Sequence, residues 1–216
     1  SKQQILDVAH FVRESGATGI GSSGDLIQLF EATWDDDQWA SHLEADRHTR
    51  SAYDLAFGMI ADRVRAGHPP MESEIQALIL EHFHKHGMTT YSGPIVAVGP
   101  HSGDPHYETT RATDVPIREG DFVLIDLWAK MDRPRAVYSD LTRVAYVGSA
   151  VPQEIEAVFQ TVARARDAAI LHVREAFAHR RPLPGWEVDD AARSVIEAAG
   201  HGASFIHQSE ERRVGK

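Results

Sequence analysis

Residues 121–148 read DFVLIDLWAKMDRPRAVYSDLTRVAYVG. Phe122 to Leu127 is a nearly continuous apolar run, which predicts a strand buried on both faces. One carboxylate, Asp126, interrupts it. A second run, Ala136 to Val147, is rich in β-branched and aromatic residues and carries Asp140. Lys130 to Arg135 lies between them, with Pro134 as a breaker, and reads as a hairpin loop. Folding the hairpin symmetrically about Arg133 places Asp126 opposite Asp140. Directly opposed residues have Cβ atoms about 5 Å apart. Two carboxylates that close repel each other and raise one pKa unless a cation lies between them. A divalent metal, or a pair about 3.5–4 Å apart, would bind both. A structural Asp paired with Arg133, Arg135 or Arg143 accounts equally well for a single buried carboxylate. Two facing carboxylates favour metal.

Composition narrows the chemistry. The chain has 216 residues, 42% of them hydrophobic and 25% charged, enough for one large or two small soluble globular domains. A net charge of −10 and the absence of a basic stripe argue against nucleic-acid binding. There are no cysteines, so disulfides, thiolate metal sites and thiol nucleophiles are excluded and metal ligands must be His and carboxylate. No apolar segment approaches the roughly 20 residues that cross a bilayer.

Outward from the hairpin, the pattern is helical. Trp34-Asp35-Asp36 opens a long helix with Trp39, Leu43, Tyr53, Phe57, Ile60 and Val64 at helical spacing, stopped by Gly67, Pro69 and Pro70. A second helix starts near Ser73, where Ser73 and Gln76 form a capping-box pattern. Its apolar face is Ile75, Leu78, Ile79 and Phe83, and Gly87 ends it. Ile95 to Val98 is a short strand, followed by a loop, residues 100–105, that delivers His101 and His106. After the hairpin, Pro152 starts a long helix with Ile155, Val158, Phe159, Val162, Ile170, Val173 and Phe177 on one face. Glu187 to Ala199 is a shorter helix, and Ala203 to His207 reads as a strand. Long helix, break, short helix, Gly, strand therefore occurs at 35–98 and again at 153–207. Strands matching the Asp hairpin are expected to complete the second half. Residues 1–33 are too few to bury a core and read as the remnant of an N-terminal domain and linker. Residues 208–216 are charged and without period. They read as a foreign tail, similar to a translated sequencing adapter.

HYETT at 106–110, IREGDFVLIDLWA at 117–129 and YSDLTRVAYVG at 138–148 resemble the pita-bread metallopeptidases: aminopeptidase P, prolidase, methionine aminopeptidase and the non-peptidase creatinase. The resemblance covers about residues 34–207. It implies an α+β fold, a partial pita-bread with a curved antiparallel sheet, helices on its outer face and the C-terminal strands missing. It implies two divalent metal ions (Mn, Co or Zn), with Asp126 as a bidentate ligand of one and Asp140 bridging both. His106 and His207 are implied as catalytic residues that contact substrate. The implied reaction is hydrolysis at a peptide N-terminus, at Xaa-Pro bonds, by a water that the two metals share and deprotonate. A cytoplasmic homodimer acting on peptides, without nucleic acid or membrane as partner, completes the expectation.

Two departures stand out. The hairpin is longer than in most members, and Trp128 stands where Gly is usual, which would change the substrate entrance. Glu211 occupies the position of a metal-ligand His four residues after His207, and the two later Glu ligands have no counterpart. The chain as given is therefore expected to be inactive. A creatinase-like hydrolase of a small C–N bond and a non-catalytic pita-bread binding domain are the competing readings. Retention of both Asp residues speaks against the first, and a downstream His and two Glu would speak against the second.

Overall fold

The strand at Phe122–Met131 is the middle of an antiparallel sheet, and the register of its hairpin with Ser139–Tyr146 is set from outside by a helix. The structure, a computed structural model, describes residues 10–19, 27, 29–30, 32–105, 107–110 and 112–205. The chain divides into residues 1–35 and residues 36–216. In the first unit residues 10–14 are helical. The second contains α1 (Asp36–Arg65), α2 (Glu72–Lys85), β1 (Met88–Thr89), β2 (Ile95–Val98), β3 (Phe122–Met131), β4 (Ser139–Tyr146), α3 (Gln153–Ala178) and α4 (Gly185–Ala198). Strand β3 pairs with β2 and β4 and, at its far end, with β1. The fold is α+β, as expected.

Strand β3 alternates strictly, contrary to a strand buried on both faces. Val123, Ile125, Leu127 and Ala129 are fully buried against the helices, while Leu124, Asp126 and Trp128 sit half-buried on the opposite face. The period of two separates these sets. The apolar-looking run arises because Leu124 and Trp128 flank Asp126 on the half-open face.

Helix α1 packs on β3 and β4, and α2 packs on α1 and β2. The expected stripe of large residues on α1 is only partly right. Trp39 and Leu43 are exposed, and the buried face is Ser41, Ala45, Thr49, Ala52, Tyr53, Ala56 and Ile60. Small side chains let the helix approach the sheet closely. The capping motif on α2 also differs. The helix begins at Glu72, Met71 N–H donates to Glu74 Oε2 at 2.8 Å, and Ser73 binds Asp114 through its backbone N–H (3.0 Å) and hydroxyl (2.5 Å).

A polar seam ties α1 to the returning strand. Ser41 Oγ accepts from Val137 N–H at 3.0 Å, His42 Nδ1 donates to the Tyr138 carbonyl at 2.8 Å, and Thr49 and Ser139 hydroxyls meet at 2.8 Å. Tyr53 Oη donates to the Leu141 carbonyl. The buried Thr49–Ser139 bond satisfies groups that would otherwise cost about 1–3 kcal/mol, and the other three satisfy partly buried ones. With Ser139 held against α1, its neighbour Asp140 must face the other way.

The helical half of the repeat is present: a long and a short helix at 36–85 and again at 153–198. The expected strand at 203–207 is absent from its described part, where Gly202–Ser204 forms a 3-10 turn. Helices α3 and α4 pack on each other. Val158, Phe159, Val162, Ile170, Val173 and Phe177, expected to be a buried face of α3, are exposed, Phe177 at 86%; Thr161, Ala165 and Ala176 are its buried residues. The buried side is the one that meets α4, and no described element covers the other. No helix among the described residues is long and apolar enough to cross a membrane.

Candidate functional site

Asp126 and Asp140 lie on one face of adjacent antiparallel strands, but not opposite each other. Asp126 pairs with Thr142, and Asp140 pairs with Trp128. The hairpin axis passes through Pro134 rather than Arg133. A one-residue shift of the axis moves every cross-strand partner by two, so the face is preserved while the partner changes. The turn lies further along the chain than the expected Lys130–Arg135: β3 continues to Met131 and β4 begins only at Ser139, Asp132 N–H donates to the Gly87 carbonyl at 2.9 Å, and Arg135 takes a left-handed φ of 60°. The two Asp residues are diagonal neighbours, a spacing of about 7–8 Å.

Their electrostatics are those of a site lacking positive charge. Burial pushes the Asp126 carboxyl above its ordinary range, and the Thr142 hydroxyl, donating to Oδ1 at 2.7 Å, draws it back down. Burial and then the charge of Asp126 push Asp140 up. Among the described residues neither carboxylate forms an ion pair, so the structural pairing with Arg133, Arg135 or Arg143 is not made. Arg133 pairs instead with Glu44 at 2.8 Å, and Arg143 lies over the Tyr53 ring at 4.9 Å. Two same-face carboxylates, both raised by burial and neither in an ion pair among the described residues, fit a divalent metal.

Asp126 opens into a cleft of about 410 Å³ whose walls include Ile95, Leu124, His101, Thr142 and Phe205. Pro105 and Phe205, close neighbours of His106 and His207, line it. His106 and His207 themselves, and the tail 208–216, lie outside the described residues. Phe205 is held from α4: Arg193 stacks on its ring at 4.3 Å, donates to its carbonyl at 3.2 Å and is itself paired with the buried Asp189 at 3.1 Å.

Sequence reasoning missed Glu72. Its side chain is fully buried and accepts from Val98 N–H (2.8 Å), Tyr107 Oη (2.6 Å) and His101 Nδ1 (3.0 Å). His101 and Tyr107 stack with centroids 4.2 Å apart. Burial, then the Glu72 bond, pushes the Tyr107 phenol up to about 12. Glu72 therefore ties β2, the 3-10 turn Gly99–Gly103 and Tyr107 into one frame. A Glu in the first turn of an amphipathic helix is ordinarily solvated, and these partners lie 26 to 35 residues away, so the sequence carries no local signal for it.

Trp128 faces Asp140 and contacts Tyr91, with ring centroids 5.8 Å apart. Its indole Nε1 is buried without a hydrogen-bond partner, beside a second cleft of about 410 Å³ lined by Gln76, Pro94, Tyr107 and Glu108.

The family model for metallopeptidase family M24 matches residues 43–210. The Bacillus subtilis protein YkvY is 34% identical over 141 residues, covering 63% of this chain and 34% of its own. The Xaa-Pro dipeptidase of Pyrococcus furiosus is 34% identical over 113 residues, covering 52% of this chain and 29% of its own. The crystal structure of dipeptidase PepE from Mycobacterium ulcerans superimposes with a TM-score of 0.65 at 25% identity, covering 86% of this chain and 45% of that one. The chain spans about a third of the length of the curated relatives it matches.

Proposed function

The chain belongs to metallopeptidase family M24, and from that premise we propose that the whole protein is a metal-dependent peptidase that hydrolyses Xaa-Pro bonds at the N-terminus of short peptides. The observation that carries this reading is the pair Asp126 and Asp140, on one face of the β3–β4 hairpin, with Asp126 lining an open cleft and neither carboxylate in an ion pair among the described residues. The relative named Xaa-Pro dipeptidase supports the choice of bond.

Asp126 and Asp140 would hold divalent metal, Mn, Co or Zn. When bound, such an ion polarises a carbonyl and lowers the pKa of a water toward neutrality. The chain's own residues do the rest. Thr142 fixes the Asp126 carboxylate by binding Oδ1, so Oδ2 keeps its lone pairs. Ile95, Leu124 and Phe205 give the cleft apolar walls beside the Asp126 carboxylate. His106 and His207 are proposed to contact substrate, with the Glu72 frame and the Arg193–Phe205 stack holding the segments that lead to them.

Protein-held catalytic metals ordinarily have three or more protein ligands. Two carboxylates are about half of a dinuclear site, so residues 1–216 alone are proposed to be inactive, with the whole protein supplying further ligands. We also propose a cytoplasmic homodimer. The test assays the whole protein on Xaa-Pro dipeptides, Xaa-Ala dipeptides and creatine, with Mn²⁺ and with chelator. Metal-dependent cleavage of Xaa-Pro substrates above the others supports the reading. Turnover of creatine, or metal binding with no peptide cleavage, overturns it.

A further inference from the structure

We propose that His48, His82 and His86 form a second divalent-metal site, on the helical layer, that clamps α1 to α2. His48 lies in α1, His82 in the last turn of α2 and His86 at its C-cap. One nitrogen from each lies within 4.8 Å of the others. The rings cluster, with His48–His86 centroids 4.4 Å apart and His82–His86 centroids 4.3 Å apart. Nitrogens bound to one tetrahedral ion at about 2.0–2.1 Å lie roughly 3.4 Å apart. Metal binding would draw the nitrogens together by about an ångström, a shift for which the exposed His86 has room.

The hydrogen bonds already select the protonation pattern a metal needs. His86 Nδ1 faces the His82 carbonyl at 2.8 Å, and a carbonyl only accepts, so Nδ1 carries the proton and Nε2 keeps its lone pair. His82 Nε2 faces the His48 carbonyl at 3.1 Å and the Ser51 hydroxyl at 2.9 Å. It is likewise the protonated nitrogen, leaving Nδ1 as donor to a metal. Outer partners of this kind orient metal-binding imidazoles. Burial, then the neighbouring His86, lowers the pKa of both His48 and His82, favouring the neutral rings that ligate. The carbonyl end of α2 adds partial negative charge. Arg47 and Lys85 oppose a cation here, and Glu44 favours one.

This site is distinct from the Asp pair. Helix α1 covers the face of β3 that carries Val123 and Ile125, whereas Asp126 is on the other face. An all-imidazole donor set suits Zn²⁺, Ni²⁺ or Cu²⁺ and not the oxygen-seeking Mg²⁺ or Mn²⁺. Three ligands leave a fourth position for water. Because α1 and α2 frame the core, an ion held here binds the folded state and stabilises it by mass action.

The test titrates Zn²⁺ into the tag-free full chain, following calorimetric stoichiometry and melting temperature, with Cu²⁺ electron paramagnetic resonance as a nitrogen count. The expected result is a Zn²⁺-dependent rise in melting temperature that is lost in His86→Ala and retained in the Asp126→Asn/Asp140→Asn double variant, with the calorimetric Zn²⁺ affinity weakened ~10–100-fold in Ser51→Ala. His86 is exposed, so its replacement leaves the core intact, and His48→Gln serves as a second ligand deletion. No Zn²⁺ binding, or binding that survives His86→Ala and His48→Gln but is lost with the two Asp residues, overturns the proposal. Failure of the peptidase reading leaves it untouched, since neither readout uses activity.

Discussion

Thr142 stands directly across the β3–β4 ladder from Asp126 and donates a 2.7 Å hydrogen bond to its Oδ1. That bond lowers the Asp126 pKa against the upward pull of burial. Thr142→Val should therefore raise the Asp126 pKa further and weaken divalent-metal affinity of the whole protein by ~10–100-fold. Thr142→Ser should restore it. Metal titration across pH checks this, and an unchanged affinity in the Val variant would show that the bond does not orient the carboxylate.

Without metal, the same two carboxylates should destabilise the fold near neutral pH. Both pKa values are raised on folding, by burial and, for Asp140, also by Asp126. The folded chain then binds protons more tightly than the unfolded one, so stability falls as pH rises from the ordinary carboxylate range through the raised values. Asp126→Asn should raise the melting temperature of chelator-treated protein at pH 7 and flatten that pH dependence. A lower melting temperature across the range would contradict the assignment of an unpaired carboxylate.

The hairpin axis shows where sequence reading stopped. The apolar runs and their Asp residues gave the strands and, by parity, their shared face. The loop length did not follow, because Asp132 bonding to Gly87 and the seam from Ser41 to Tyr53 pin the register through residues far away in sequence. The helix lengths were legible from Pro and Gly breaks. The packing face of α1 was not, since Ala45, Ala52 and Ala56 carry little hydrophobic signal yet are fully buried. Glu72 is tied to partners 26 or more positions away, and although His82 and His86 share the i, i+4 spacing of one helix face, His48 joins them from 34 positions upstream, which no local period reveals.

The seam makes a stability prediction. Tyr53 Oη donates to the Leu141 carbonyl, and burial, with a further push from Asp126, raises its pKa. Tyr53→Phe keeps the ring and deletes the bond, so it should cost about 1–3 kcal/mol. For a chain of this size that is about 2–4 °C of melting temperature per kcal/mol. An unchanged melting temperature would mean that the seam does not hold β4.

Glu72→Ala should be more damaging. It strands the Val98 N–H and the Tyr107 hydroxyl and removes the His101 partner. Breaking a buried charged network by deleting one member costs about 3–5 kcal/mol. Denaturant titration should show a lower midpoint, and peptidase activity in the whole protein should fall with it. A neutral substitution would remove Glu72 as the frame of the cleft.

If Asp126 and Asp140 hold the catalytic metal, as proposed, metal content and Xaa-Pro hydrolysis must change together in Asp126→Asn and Asp140→Asn variants of the whole protein. Losing several kcal/mol of transition-state stabilisation from a catalytic metal corresponds to a fall in kcat/KM on the order of 10³. The expected result is that fall in each variant, with metal content reduced and the fold intact by circular dichroism. Full metal occupancy and undiminished hydrolysis in either variant would contradict it.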